Sequence, residues 1–272
     1  MRVRSFLGAA LAALLAGAGA APAPASPVSR TPDPICLQPR GANVAAPLLV
    51  EFYRELPEPR EDDDPQVWAA RMEKALDAFR KKVRGRYTEG TLLHLLDSPD
   101  DTARRAAVIA LGMVGTMRAN EGVAGRLHDD DPALRHLAAD ALWAIWFRGD
   151  SAENARELQK LVRQRDADAA LNGLNKLIKK APQFAEAYNQ RAIWYYKLGD
   201  LDKAVADCKK VLELNPHHFG AQSGMAQSYL RQRKPREALK AYRAAYAINP
   251  NLDGVEESIR ALENALGDEG KK

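Results

Sequence analysis

Two cysteines, Cys36 and Cys208, are all that the 272 residues hold. A pair so placed gives no disulfide framework, and the reading is one linker thiol and one buried, core-facing thiol. Export would still permit a bond from Cys36 to another chain. Long apolar runs are equally scarce. Only Phe6 to Ala16 qualifies, and it is shorter and weaker than the ~20 apolar residues a spanning helix needs. The mature chain is therefore expected to carry no transmembrane span. Excess charge is missing too: 40 basic against 36 acidic residues leave +4, which is no argument for nucleic acid. Also absent are a nucleotide-binding glycine loop, a His-Glu-x-x-His pair and a Gly-x-Ser-x-Gly elbow, so the sequence indicates no catalysis, no cofactor and no metal centre.

At the front, Arg2 and Arg4 precede the apolar run, and Ala18-Gly19-Ala20 supplies small residues after it. That is the build of a secretory signal over 1–20, with cleavage expected after Ala20 and the product exported, periplasmic or extracellular. Residues 21–64 read as a Pro/Ala-rich disordered tether, with a short helix over Pro47 to Leu56. Asp64-Pro65 then starts a helix whose stripe is Trp68, Met72, Ala75, Phe79 and Val83, and whose basic end is Lys81, Lys82, Arg84 and Arg86.

Two internal repeats follow. Asp100, Arg104 and Leu111 recur 31 residues later as Asp131, Arg135 and Leu142, each in a leucine-helix, Asp-turn, Arg-Ala-Ala-helix pattern. These residues resemble the HEAT family. The aspartates are expected to cap the second helices and the arginines to bond the turn. Where the first unit has Gly112 the second has Trp143, and Trp143, Trp146 and Phe147 are expected to form the seam against the degenerate first unit of the next repeat class.

The second repeat has a period of 34. Shifting by that step carries Ala192 onto Ala226, Tyr195 onto Tyr229, Ala204 onto Ala238 and Asn215-Pro216 onto Asn249-Pro250. This pattern resembles the tetratricopeptide family. Its first unit, from Asp150, is degenerate, with helices over Ala152 to Arg163 and Ala167 to Lys180. Gly199 is expected in a left-handed cap and Asp200 as an N-cap, and Tyr195 is expected buried with Tyr196 on the groove. Val255, Ile259, Leu262 and Leu266 mark a closing helix. The fold class that follows is all-α: an α-solenoid of HEAT-like helical pairs over 65–148, then tetratricopeptide repeats and a capping helix over 149–266, with 267–272 a disordered tail.

The resemblance implies a concave face made by the first helix of each unit. In the second unit that face is Glu186, Asn189, Gln190, Ile193, Tyr196 and Lys197; in the third it is Gly220, Ser223, Gly224, Gln227, Leu230 and Arg231. Asn189, Gln190, Ile193, Tyr196, Lys197, Ser223, Gln227, Leu230 and Arg231 are the candidate partner-binding residues. Family members that clamp a terminal carboxylate have a cation where Gly220 and Gly224 stand, so that clamp is not expected. Three other clusters have structural explanations. The basic run Arg231, Arg233, Lys234, Arg236, Lys240 and Arg243 faces an acidic helix carrying Glu256, Glu257 and Glu263. His128, Asp129 to Asp131 and His136 form an acidic turn, and His217-His218 has no third ligand at metal spacing. The leading function is an exported, non-enzymatic scaffold that holds a protein or peptide partner in the groove, with no nucleic acid and the oligomeric state open. The alternatives are an enzyme or accessory subunit, since HEAT-like repeats resemble those of phycobilin lyases, and a binder of an anionic envelope component through the basic run.

Overall fold

The computed structural model describes residues 45–58 and 63–267. The expected signal, the cleavage after Ala20, most of the tether, Cys36 and the tail beyond 267 lie outside the described residues. Everything described is helix and turn. Helix α1 (Ala45–Arg54) starts and ends ahead of the short helix expected over Pro47 to Leu56, and it buries Leu49 and Val50. Helix α2 (Pro65–Arg86) begins where Asp64 Oδ1 accepts from the Gln66 and Val67 amides, with proline at the first position. Its buried stripe is Trp68, Met72, Leu76, Phe79 and Val83; Leu76 takes the central place that the sequence reading gave to Ala75. Lys82 at its basic end pairs with Glu55 and lies over the Phe52 ring, which ties α1 to α2.

The HEAT part comprises α3 (Glu89–Leu95), α4 (Asp101–Val114), α5 (Asn120–Gly125) and α6 (Pro132–Phe147). Asp100 caps α4 through the Thr102 and Ala103 amides, and Asp131 caps α6 through that of Ala133. The repeat arginines do the same thing twice. Arg104 donates to the Ser98 carbonyl at 3.0 Å and Arg135 to the Asp129 carbonyl at 2.9 Å, each six residues back. One layer of buried Ala, Val, Leu and Ile then runs through α4 and α6, where small side chains let the helices approach.

Six helices build the tetratricopeptide part: α7 (Ala152–Val162), α8 (Ala167–Lys180), α9 (Ala185–Leu198), α10 (Leu201–Leu214), α11 (Phe219–Arg231) and α12 (Pro235–Ile248). The second helices begin at Ala167, Leu201 and Pro235 and end at Lys180, Leu214 and Ile248, a step of 34 each time, so the degenerate first unit has the length of the others. Ala170, Leu174, Ala204 and Cys208 are buried as expected. Gly199 adopts φ 87°, and 34 residues on Arg233 holds the same left-handed region at φ 58°. Helix α13 (Val255–Leu266) packs on α12 and closes the array, burying Val255.

Three expectations are corrected. The Asp200 carboxylate does not cap α10; it pairs with Lys203 at 2.9 Å, because a ψ of 62° turns it away from the amides of the first turn. Tyr195 and Tyr196 are both half-buried. Tyr195 lies among cations, with Arg191 and Lys203 within 5.7 Å of its ring centre, and is no core aromatic. The largest correction concerns the seam: only Phe147 packs on the first unit, in the cluster of Leu158, Leu174 and Phe184. Trp143 and Trp146 reach past it to the start of α11, in the third unit. Helical periodicity tells which face of α6 is apolar but not which repeat curves round to meet it.

Candidate functional site: the groove beside Trp143

Helix α6 brings two tryptophans to the concave side of the tetratricopeptide array. The Trp146 ring stacks on His218, with centroids 4.1 Å apart and planes at 19°. Trp143 meets Trp146, His218 and Phe219 edge to face, at 5.0, 5.3 and 5.6 Å. Its six-membered ring fits over Gly220, where a Cβ would stand 2.5 Å from Cη2 and 2.8 Å from Cζ2. Gly220 is therefore a socket for Trp143. A side chain of any size at that place would push α6 out of the groove.

A polar chain accompanies the rings. The His218 Nδ1 accepts from the Ala221 amide at 3.0 Å, capping α11, which leaves the proton on Nε2 to donate to Glu186 Oε2 at 2.9 Å. Neither side chain is accessible to solvent. Glu186 Oε1 accepts in addition from Asn189 Nδ2 at 3.1 Å and Gln190 Nε2 at 2.6 Å. Three donors thus satisfy a carboxylate that no cation accompanies. On the far side of the stack, Trp146 Nε1 donates to Asn120 Oδ1 at 2.7 Å, and Asn120 Nδ2 donates to Asn215 Oδ1 at 2.9 Å. The Asn-Pro turn read from the sequence as a repeat boundary is also a docking point for the HEAT part. Its copy behaves alike: Asn251, held by Asn249, accepts from Arg135 Nε and donates to the Leu127 carbonyl.

What α6 leaves open is a pocket of about 490 Å³ lined by Trp143, Ile193, Tyr196, Phe219 and Leu252, with Asn189, Lys197, Ser223 and Gln227 among its polar groups. Of the candidate residues, Asn189, Ile193, Tyr196, Lys197, Ser223 and Gln227 line it. Gln190, Leu230 and Arg231 do not. Gln190 is turned to Glu186, while the Arg231 guanidinium lies 4.7 Å over the Tyr196 ring and donates to the Tyr196 carbonyl at 2.5 Å. The expectation of an open concave face is corrected at Glu186 and Asn189, which are buried, and at Gly220, which Trp143 covers. Sequence reasoning missed Trp143, Phe219, Cys208 and Leu252 as lining residues. A signal existed, since a tryptophan at the register of Gly112 and a glycine, Gly220, at the register of Glu186 are a large-to-small match waiting for a contact.

The chemistry available in this pocket is binding. Burial pushes the Cys208 thiol up to about 12, so it stays protonated at neutral pH and is no nucleophile. The acidic turn is consumed structurally: Asp129 meets Arg104 and Arg126, and Asp131 meets Arg105. Among the described residues no group of three His, Cys, Asp or Glu side chains could hold a metal ion, and no helix is long and apolar enough to cross a membrane.

Comparison with known proteins agrees with this architecture. The tetratricopeptide repeat model matches residues 185–218, the second unit, and the HEAT repeats model matches 88–174, running from α3 into α8. A TPR repeat-containing protein of Rhizobium etli is 32% identical over 139 residues, which are 50% of this chain and 68% of that one. The Hsp70-Hsp90 organizing protein of Triticum aestivum is 24% identical over 156 residues, which are 55% of this chain but only 26% of that one. Among solved structures, the first TPR of Spaghetti bound to an HSP90 peptide shares 24% identity over 43% of this chain and 95% of its own, with a TM-score of 0.41. A thermophilic TPR protein of Thermus thermophilus shares 19% over 83% and 99%, with a TM-score of 0.34. On the identity and coverage of the rhizobial relative, this chain belongs to the tetratricopeptide repeat-containing proteins, with HEAT repeats ahead of its tetratricopeptide array.

Proposed function

We propose that the protein is an exported, non-enzymatic scaffold that holds a peptide segment of a partner in the groove beside Trp143. The carrying observation is the pocket itself: about 490 Å³, walled by aromatic and aliphatic side chains, edged by Ser223, Gln227 and Lys197 and open to solvent. That volume suits an anchoring side chain, and the amide and ammonium groups at its edge suit a peptide backbone. A relative that organizes Hsp70 and Hsp90 supports the class of activity without naming a partner here. Export rests on Arg2, Arg4 and the Phe6 to Ala16 run.

The pocket can be filled without disturbing its walls. A Cβ on Gly224 would stand 3.8 Å from Cys208 Sγ, an ordinary contact, so Gly224→Leu adds bulk where there is room. Crosslinked pull-downs from envelope extracts should recover a protein with the natural chain and lose it with Gly224→Leu. Equal recovery by both would overturn the pocket as the site. For export, N-terminal sequencing of the native product should begin at or near Ala21, and intact Met1 in the cytosolic fraction would refute it.

A further inference from the structure

Arg148, in the turn after α6, carries its charge into the HEAT part with no carboxylate to meet it. Its Nη2 donates to two carbonyls at the end of α4, that of Gly112 at 2.7 Å and that of Gly115 at 3.1 Å. Nε and Nη1 have no acceptor among the described residues, which leaves three of the five donors of the fork unused. Burial lowers the guanidinium pKa to about 10, and Arg84 and Arg80 push it the same way. At neutral pH it therefore stays charged, beside two further cations. Those two stand one turn apart on α2, a spacing at which like charges repel. Arg80 pairs with Asp77 at 2.5 Å, whereas Arg84 is exposed and forms no ion pair among the described residues. Glu89 is engaged by the Thr116 amide and hydroxyl, and no carboxylate acts on Arg148. The end of α4 offsets about half a charge and Asp77 one, so the three guanidiniums keep a surplus of between about one and two.

From this arrangement we infer that Arg80, Arg84 and Arg148 form a binding site for a phosphate-type oxyanion, held by the unused donors of the Arg148 fork and by the two side chains of α2. The charge decides the class of ligand. A phosphate group carries about −1.5 to −2 at neutral pH, which matches the surplus, while a carboxylate brings one charge and leaves part of it unmet. Geometry agrees, because a planar guanidinium with neighbouring free donors takes phosphate oxygens in pairs. The site shares no residue with the pocket beside Trp143, so it stands apart from the groove reading. Free phosphate and a phosphorylated lipid headgroup present the same chemistry here.

The test titrates inorganic phosphate into the whole chain by calorimetry at pH 8 and constant ionic strength, where saturable one-to-one binding is expected. Arg80→Gln with Arg84→Gln should weaken it by roughly tenfold or more. Lys81→Gln with Arg86→Gln removes two cations from the same helix end that do not act on Arg148, and should leave the affinity within about twofold. Arg148 is left in place because it holds the end of α4. Arg84→Gln alone, at an exposed and unpaired side chain, should still cost about threefold, so the test does not depend on the double variant folding. Equal weakening in the two doubles would overturn the proposal in favour of diffuse positive charge, and so would a titration without saturable binding. Phosphatidylcholine vesicles containing phosphatidic acid identify the source. Co-sedimentation with them that is lost in Arg80→Gln with Arg84→Gln assigns a lipid headgroup, whereas phosphate binding without co-sedimentation assigns the free ion.

Discussion

At the scale of single residues, the side chains that decide most are polar groups inside an apolar joint. His218 is the clearest: in sequence it is half of a His-His pair beside a turn, yet in the fold it caps α11, stacks on Trp146 and donates to Glu186. Nothing in local sequence marks it, because its partners lie on α6 and α9. Asp140, on α6, is a different case. Burial pushes its carboxyl up to about 6, with His136 acting in the opposite direction. A folded pKa above the unfolded value near 3.8 means that the native state holds the proton more tightly, so stability is full below about pH 4 and falls as pH rises through about 6. Discounted for its partial exposure, the loss amounts to about 1 to 2 kcal/mol. Asp140→Asn should therefore raise the urea midpoint relative to wild type at pH 7.5 and leave it nearly unchanged at pH 4. A difference of the same size at both values would show that the carboxyl is not strained by burial.

Helices were the most legible level. The N-caps Asp64, Asp100 and Asp131, the glycine at 199 and the 34-residue step could all be read from residue types, since capping and turn chemistry are local. Differences between units were harder to read, and one stands out. Between α9 and α10 the Arg191 fork grips Asp207, Nε to Oδ2 and Nη2 to Oδ1 both at 2.7 Å, while Nη1 reaches Asn175 on α8. The hydrogen bonds that Arg191 donates to Asp207 hold the guanidinium pKa above its ordinary value. In the third unit the same two places are Met225 and Ala241, an apolar contact. Two solutions to one helix pair allow a direct exchange. Arg191→Met alone strands a carboxylate that is 9% exposed, and should cost about 2 to 4 kcal/mol. The double change Arg191→Met with Asp207→Ala recreates the third unit's pair and should come within about 1 kcal/mol of wild type. Denaturant melts of the two singles and the double measure the coupling; additive losses would mean that the pair is no more than two independent packing contacts.

For the whole molecule, the surprise is that a repeat array is not one-dimensional. Solenoid units ordinarily touch only their sequence neighbours, and their stability is a sum of local terms. Here Asn120 bonds Asn215, Arg135 bonds Asn251 and Trp143 seats on Gly220, so the HEAT part is clasped by the second and third tetratricopeptide units rather than ending where the first begins. That clasp was out of reach of pattern reading, which follows faces along one helix and not the curvature that brings the ends of an array together. It also predicts how the protein melts. The natural chain should unfold in a single transition, because loss of either part exposes Trp143, Trp146 and Phe219 together. Gly220→Leu tests this with little ambiguity. Leucine is the better helix former of the two, so on local grounds the substitution does not destabilise α11. Its Cβ would stand 2.5 Å from the Trp143 ring, so on the packing seen here it must push α6 out of the groove. Calorimetry of Gly220→Leu should accordingly resolve two transitions, and limited proteolysis should open the Arg148 to Ser151 connection between α6 and α7. A single transition at raised temperature would show instead that the two repeat parts are not coupled through Trp143.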